Sequence, residues 1–157
     1  MLGYFDNQAA TETSFNRDGW FMSGDLGSLD AQGNLRVEGR LKDLIIRGGH
    51  NIYPAHIEAL ALRHADVVRV ACFPVADERL GERVCIAVAG EVAPDILLAH
   101  LGREGLSKFD MPEYFVRLEE FPLTASGKIL KRELIEMVKR GEIVPAGLRF
   151  EAKEGVA

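Results

Sequence analysis

Lys128 closes the run Pro122-Leu123-Thr124-Ala125-Ser126-Gly127-Lys128, a turn between two structured segments. Gly127 opens backbone conformations that other residues avoid, so the loop can carry its lysine out from the scaffold. A compact ammonium stabilises negative charge most where water is scarce. Solvation is the usual fate of a loop lysine, and the residue alone leaves both readings open. Asp25 follows Ser23-Gly24 in a tight turn, where a carboxylate either caps the turn or accepts hydrogen bonds from hydroxyls of a ligand. Gly48 and Gly49 follow Leu44-Ile45-Ile46. A missing Cβ lets a ligand pass close to the backbone, and a plain strand-to-helix turn uses the same residues. His50, beside them, has the chemistry of a general base, although a lone histidine next to glycines is more often a turn or packing residue.

The bulk properties narrow the setting for these residues. A chain of 157 residues is one ordinary domain, or a small domain with an appended segment. Its 47% hydrophobic and 27% charged residues are a globular composition, not a disordered or fibrous one. A net charge of -5 gives no general attraction to nucleic acid or to an anionic membrane, so a bound nucleotide has to be held by a local site. Cys72 and Cys85 sit in the apolar runs VRVACFPV and ERVCIAVAG, as core thiols of a reducing compartment do. No His or Cys lies at metal-ligand spacing from them. No basic region followed by an apolar stretch opens the chain, and no apolar run is long enough to span a bilayer. The expected location is the cytoplasm.

The elements that must position these residues are legible in outline. Residues 1–41 are rich in aromatics and glycine, with two short β runs around Ala31-Gln32-Gly33-Asn34, a hairpin signal. No amphipathic helix is evident before residue 54, and so short a β segment cannot bury its own apolar face. Beyond it, Leu44–Ile46 reads as a strand, Pro54 opens a helix, and Asp66–Phe73 is a strand ending at Pro74. A second strand spans Val84–Ala89, a helix runs from Pro94 to about Glu104, Tyr114–Leu118 is extended, and Ile129–Lys139 is a final helix. The tail after Gly141 reads as loose. The fold class is α+β, with a small mixed β-sheet and packed helices.

Four segments in order resemble the adenylate-forming superfamily of acyl-CoA synthetases, luciferases and peptide-synthetase adenylation domains. They are Gly19-Trp20-Phe21-Met22-Ser23-Gly24-Asp25-Leu26-Gly27, Gly39-Arg40-Leu41-Lys42-Asp43, Gly48-Gly49-His50-Asn51-Ile52-Tyr53-Pro54 and the Lys128 run. In that family a carboxylate attacks the α-phosphate of ATP to give an acyl-adenylate, and a thiol, usually that of coenzyme A, then displaces AMP. A small C-terminal lid domain rotates between the two halves. The resemblance implies that Lys128 is catalytic in the first half-reaction, that Asp25 and Arg40 bind the nucleotide, and that Lys42 is the hinge. It also implies that Gly48, Gly49 and His50 lie beside the path of CoA. Residues 1–41 would be the last β segment of a large N-terminal domain and the approach to the hinge, and 42–157 the lid.

No loop of the family's phosphate-cradling type occurs in the sequence, so the chain is expected to be a fragment without ligase activity of its own. Its partners would be the missing N-terminal domain, a small carboxylic acid, ATP with Mg²⁺, and CoA. No nucleic acid or membrane partner is expected. A homodimer through residues 1–41 would cover the orphaned apolar face. Two departures from the family pattern stand out: His56 replaces the first glutamate of Pro-x-Glu-Ile-Glu, of which Glu58 keeps the last, and Arg117 stands where proline is usual. A carrier-protein thiol as acceptor is the first rival reading, and the lack of a carrier segment after Ala157 disfavours it. A free-standing, non-catalytic docking module is the second. The run from Gly48 to Glu58 resembles that of ligases for cyclic or medium-length acids.

Overall fold

Asn7 starts the first element. Its side-chain carbonyl accepts the Ala10 N–H at 3.0 Å and caps the short helix α1 (Gln8–Thr13). The computed structural model describes residues 1–148 and divides into two units, Met1–Lys42 and the chain from Asp43 onward. Gln-Ala-Ala-Thr-Glu-Thr carries no apolar stripe to announce a helix; local capping makes α1, and none of its residues is buried. Strands β1 (Asp25–Leu29) and β2 (Leu35–Arg40) then form an antiparallel hairpin. Asp30 builds its turn by accepting the Gln32 and Asn34 N–H groups and the Asn34 side-chain amide. Bonding to Asn34 holds that carboxyl below the usual carboxylate range. Gly27 faces Val37, and Leu29 faces Leu35. One face of the hairpin is therefore apolar, and it is open, with Leu29, Leu35 and Val37 at 71%, 69% and 65% exposure.

The second unit is built on a sheet of six strands. Strand β3 (Ile45–Arg47) turns directly into β4 (His50–Ile52), and α2 (Pro54–Ala61) follows with proline in its first turn. The long pair β5 (Val67–Asp77) and β6 (Gly81–Gly90) is antiparallel. Helix α3 (Pro94–Arg103) crosses over to β7 (Tyr114–Arg117), which lies parallel to β6 on its other side. After α4 (Lys131–Lys139), the two-residue strand β8 (Ala146–Gly147) pairs with β7. The segment after Gly141 is thus tied to the sheet as far as Leu148, whose N–H donates to the Glu113 carbonyl at 2.7 Å. The remainder of the expected loose tail lies outside the described residues.

Strand alternation divides the core between the two faces of this sheet. Val70, Cys72, Val84, Ile86 and Val88 pack with Ile57 and Leu60 of α2 and with Leu97 and Leu101 of α3. Ala71, Phe73, Cys85 and Ala87 pack on the opposite side with Val116, Phe121 and Leu134 of α4. Cys72 and Cys85 therefore belong to different faces, and both are free thiols. Burial pushes the Cys85 thiol up to about 12 and the Cys72 thiol well above its ordinary value, the nearby Glu58 carboxylate adding to the latter.

Pro74 does not end β5, as its type suggested. It sits inside the strand opposite Val84. The Cys72 N–H points away from β6, to the Glu58 carboxylate at 2.6 Å. Two residues on, the Pro74 nitrogen faces the same open side, where a missing donor costs the ladder nothing. Glu58 also meets Lys131 Nζ at 2.7 Å, with both side chains largely covered. A residue of α2 and one of α4 thus close the outer edge of β5 between them.

Glu58→Ala removes the acceptor of the Cys72 N–H and leaves Lys131 unpaired. It is expected to cost about 2 kcal/mol, read as a lowered urea midpoint with an unchanged slope. A thiol-disulfide reagent at neutral pH should label neither cysteine in the folded chain and both in denaturant; labelling of the folded chain would contradict the assigned burial.

Candidate functional site

Lys128 occupies a closed loop. The Thr124 N–H donates to the Lys128 carbonyl at 2.8 Å, and the Gly127 N–H to the Thr124 carbonyl at 2.9 Å. The Thr124 hydroxyl accepts the Lys128 N–H at 3.0 Å and lies 2.9 Å from the Ser126 hydroxyl. Gly127 has φ +81°, and a Cβ there would touch nothing. The constraint at that position is purely one of backbone conformation. Leu123 and Ile129 bridge below the loop, and the Leu130 N–H returns to the Pro122 carbonyl at 2.8 Å. The side chain of Lys128 projects from this frame into solvent, and among the described residues its ammonium has no hydrogen bond or ion pair. An ammonium fixed at its base and free at its tip is equipped to meet an anion brought to it.

In the first unit, Asp25 and Arg40 are register partners of β1 and β2, and Arg40 Nε donates to Asp25 Oδ1 at 3.1 Å. Both side chains are about half exposed. The pairing leaves the second Asp25 oxygen and the terminal nitrogens of Arg40 unengaged among the described residues. The carboxylate can accept and the guanidinium can donate further hydrogen bonds at those positions. Lys42 follows in a single 3₁₀ turn, Leu41–Asp43, whose first N–H, from Leu41, donates to the Gly24 carbonyl.

Gly48 and Gly49 are the two central residues of the turn joining β3 to β4, with φ +57° and +86°. This is a hairpin turn, not the strand-to-helix turn the sequence suggested: two consecutive left-handed residues match the twist of the flanking strands. The Gly48 N–H is held by the Leu80 carbonyl at 2.8 Å, and a Cβ on Gly48 would press on Leu80 at 3.2 Å. Gly49 is open to solvent, with nothing within reach of a Cβ. His50 places Nε2 2.7 Å from Asp110 Oδ1. Lys128 shares no hydrogen bond with Gly48, Gly49 or His50, so the second unit presents two separate loops.

Four side chains that brace these loops were not singled out from sequence. Thr124 ties the lysine loop, while Arg47, Asp110 and Glu113 tie the glycine turn. Arg47 meets Glu113 at 2.8 Å and also donates to the Phe109 carbonyl. Glu113 in turn accepts the Val84 N–H at 3.0 Å. Arg83 pairs with Asp77, whose carboxyl is held below its usual range by the Leu80 N–H and then by Arg83. Only Thr124 carried a local signal, a hydroxyl residue opening a glycine turn.

Residues 56–128 match the AMP-binding enzyme C-terminal domain family. Over 143 residues the chain is 38% identical to the mitochondrial medium-chain acyl-CoA ligase ACSF2 of Rattus norvegicus, a match covering 89% of this chain and 23% of that protein. It is 39% identical over 140 residues to the putative acyl-CoA synthetase YngI of Bacillus subtilis (strain 168), covering 87% of this chain and 25% of the relative. The chain therefore spans about a quarter of the length of these curated relatives. Among solved structures, o-succinylbenzoate CoA synthetase (MenE) of Bacillus subtilis, in complex with the acyl-adenylate OSB-AMP, superposes with TM-score 0.79 at 37% identity, over 85% of this chain and 28% of that one. ATP-bound MatB from Rhodopseudomonas palustris gives TM-score 0.75 at 33% identity, over 87% of this chain and 28% of that one.

The loop geometry predicts unequal stability effects at adjacent positions. Gly127→Ala should destabilise by about 1 kcal/mol through its left-handed backbone alone. Lys128→Ala should stay within about 0.5 kcal/mol of wild type in denaturant unfolding, since nothing is lost but a solvated tip.

Proposed function

We propose, from the premise that this chain belongs to the adenylate-forming acyl-CoA ligase family and carries its C-terminal domain, that it supplies the mobile catalytic lid of an ATP-dependent acyl-CoA ligase. The observation that carries this reading is the Lys128 loop: a hairpin closed by the backbone and hydroxyl of Thr124, tipped by an ammonium that has no partner among the described residues. In the first half-reaction an anionic carboxylate attacks an anionic phosphate. Lys128 reaches between them and offsets charge on both, where a preorganised cation is worth most. Asp25 accepts from ribose hydroxyls through its unengaged oxygen, and Arg40, steadied by Asp25, faces ribose or phosphate. Mg²⁺ enters with the nucleotide's phosphates.

In the second half-reaction the lid turns about Lys42, and the Gly48–Gly49 turn comes beside the path of the thiol, its bare backbone allowing close passage. CoA is the acceptor in this reading; a carrier-protein thiol would use the same geometry. A medium-length carboxylic acid is the substrate class, which the named activity of the ACSF2 relatives supports, and fatty acid metabolism is the matching context. The open apolar face of Leu29, Leu35 and Val37 suits cover by the large N-terminal domain of such an enzyme, or by a second copy in the isolated chain. Two buried free thiols suit a reducing compartment such as the cytoplasm.

In the enzyme that carries this chain, Lys128→Ala should lower acyl-adenylate formation from a medium-chain acid by about 10²-fold or more. Conversion of supplied acyl-adenylate and CoA to thioester should survive. If both half-reactions run at the wild-type rate, Lys128 is a surface residue and the lid reading is wrong. The isolated 157-residue chain should form no thioester, and light scattering tests whether it pairs.

A further inference from the structure

The two residues that flank the Gly48–Gly49 turn are register partners, Arg47 on β3 and His50 on β4. Both leave the hairpin for the same short segment, sixty residues or more further on. Arg47 binds the Phe109 carbonyl and the Glu113 carboxylate, and His50 meets Asp110 at 2.7 Å. Glu113 is itself fixed through the Val84 N–H of the central strand, and the Phe109 ring stands edge-on to the His50 ring at 6.4 Å. Glycine at both central positions gives the turn more backbone freedom than other residues would. Tethering both of its shoulders to one segment takes that freedom away.

We propose that Arg47–Glu113 and His50–Asp110 form a two-point clamp on the Gly48–Gly49 turn, with Asp110 and Glu113 as positioning residues for the thiol half-reaction. The proposal rests on the reading that this turn borders the thiol's path. His50 is then an anchor, engaged with Asp110, and not a base. The two pairs also differ in character. Arg47 and Glu113 are mostly covered, at 14% and 22% side-chain exposure, whereas His50 is half exposed at 51%. The Arg47 side of the clamp is structural footing, and the His50 side sets the final position of the turn.

The clamp is tested first in this chain, by amide hydrogen exchange. Asp110→Ala should speed exchange at Gly49 and His50 by about tenfold and leave the β5–β6 amides unchanged. Glu113→Gln keeps an acceptor for the Val84 N–H while losing the charge, and should act in the same direction. Unaltered exchange in both variants would overturn the clamp. The kinetic role is tested in the enzyme that carries the chain, with His50→Ala, Asp110→Ala and the double variant. Each should raise the KM for CoA by about tenfold, the double no more than the singles, with adenylation unchanged. Additive effects, or losses in both half-reactions, would overturn the pair as a positioning unit. Gly49→Val separates the underlying reading from the clamp. If it leaves the KM for CoA untouched, the turn does not border the thiol's path, whatever the exchange data show of the clamp.

Discussion

Pairing of β5 with β6 is the interaction on which the rest of the domain depends. It is the longest ladder among the described residues, and it is covered on both faces. Each of its residues therefore has an assigned side. A slip of one position would send Phe73 and Cys85 into the space of Cys72 and Ile86, and every helix would lose its seat. The covalent order of the chain delivers α2 and α3 to one face and α4 to the other. The turns that carry chemistry are what remains once these elements are placed, namely the connections that emerge from a two-sided core.

Those connections are not loose. The Lys128 loop is closed by its own backbone and by one threonine, so its shape is nearly independent of the surroundings. The glycine turn is the reverse: its backbone conformation is local, but its position is borrowed from Phe109, Asp110 and Glu113. One site is self-sufficient and the other is held from outside, and the two differ in sequence signature for that reason. A self-closed loop writes its constraints within a few neighbouring residues. A loop held from outside writes half of them elsewhere in the chain.

This difference explains how much could be read in advance. The hairpin around Asp30–Asn34, the helices opened by Pro54 and Pro94, and the apolar runs of β5 and β6 were legible because turn chemistry, proline and a continuous apolar run act over short spans. Helix α1 escaped because capping by Asn7, not an apolar stripe, makes it. Strand β4 escaped because Gly48-Gly49 turns the chain back within two residues, where a longer turn was expected. Pro74 misled because its effect depends on which edge its nitrogen faces, a property of the assembled sheet. Strand β8 misled because its pairing is with β7, about thirty residues earlier. Lys128 and its neighbours stood out through local composition, whereas Asp110 and Glu113 had no mark apart from the partners the fold gives them.

The closure over β5 has a meaning for how such a domain behaves among other proteins. At two successive outward positions the strand offers no free donor: the Cys72 amide is taken by Glu58, and Pro74 has none. An incoming extended segment would find no run of hydrogen bonds to extend there. The cross-link between α2 and α4 is thus also a barrier to templated aggregation, and it guards the flank of the very ladder that organises the core.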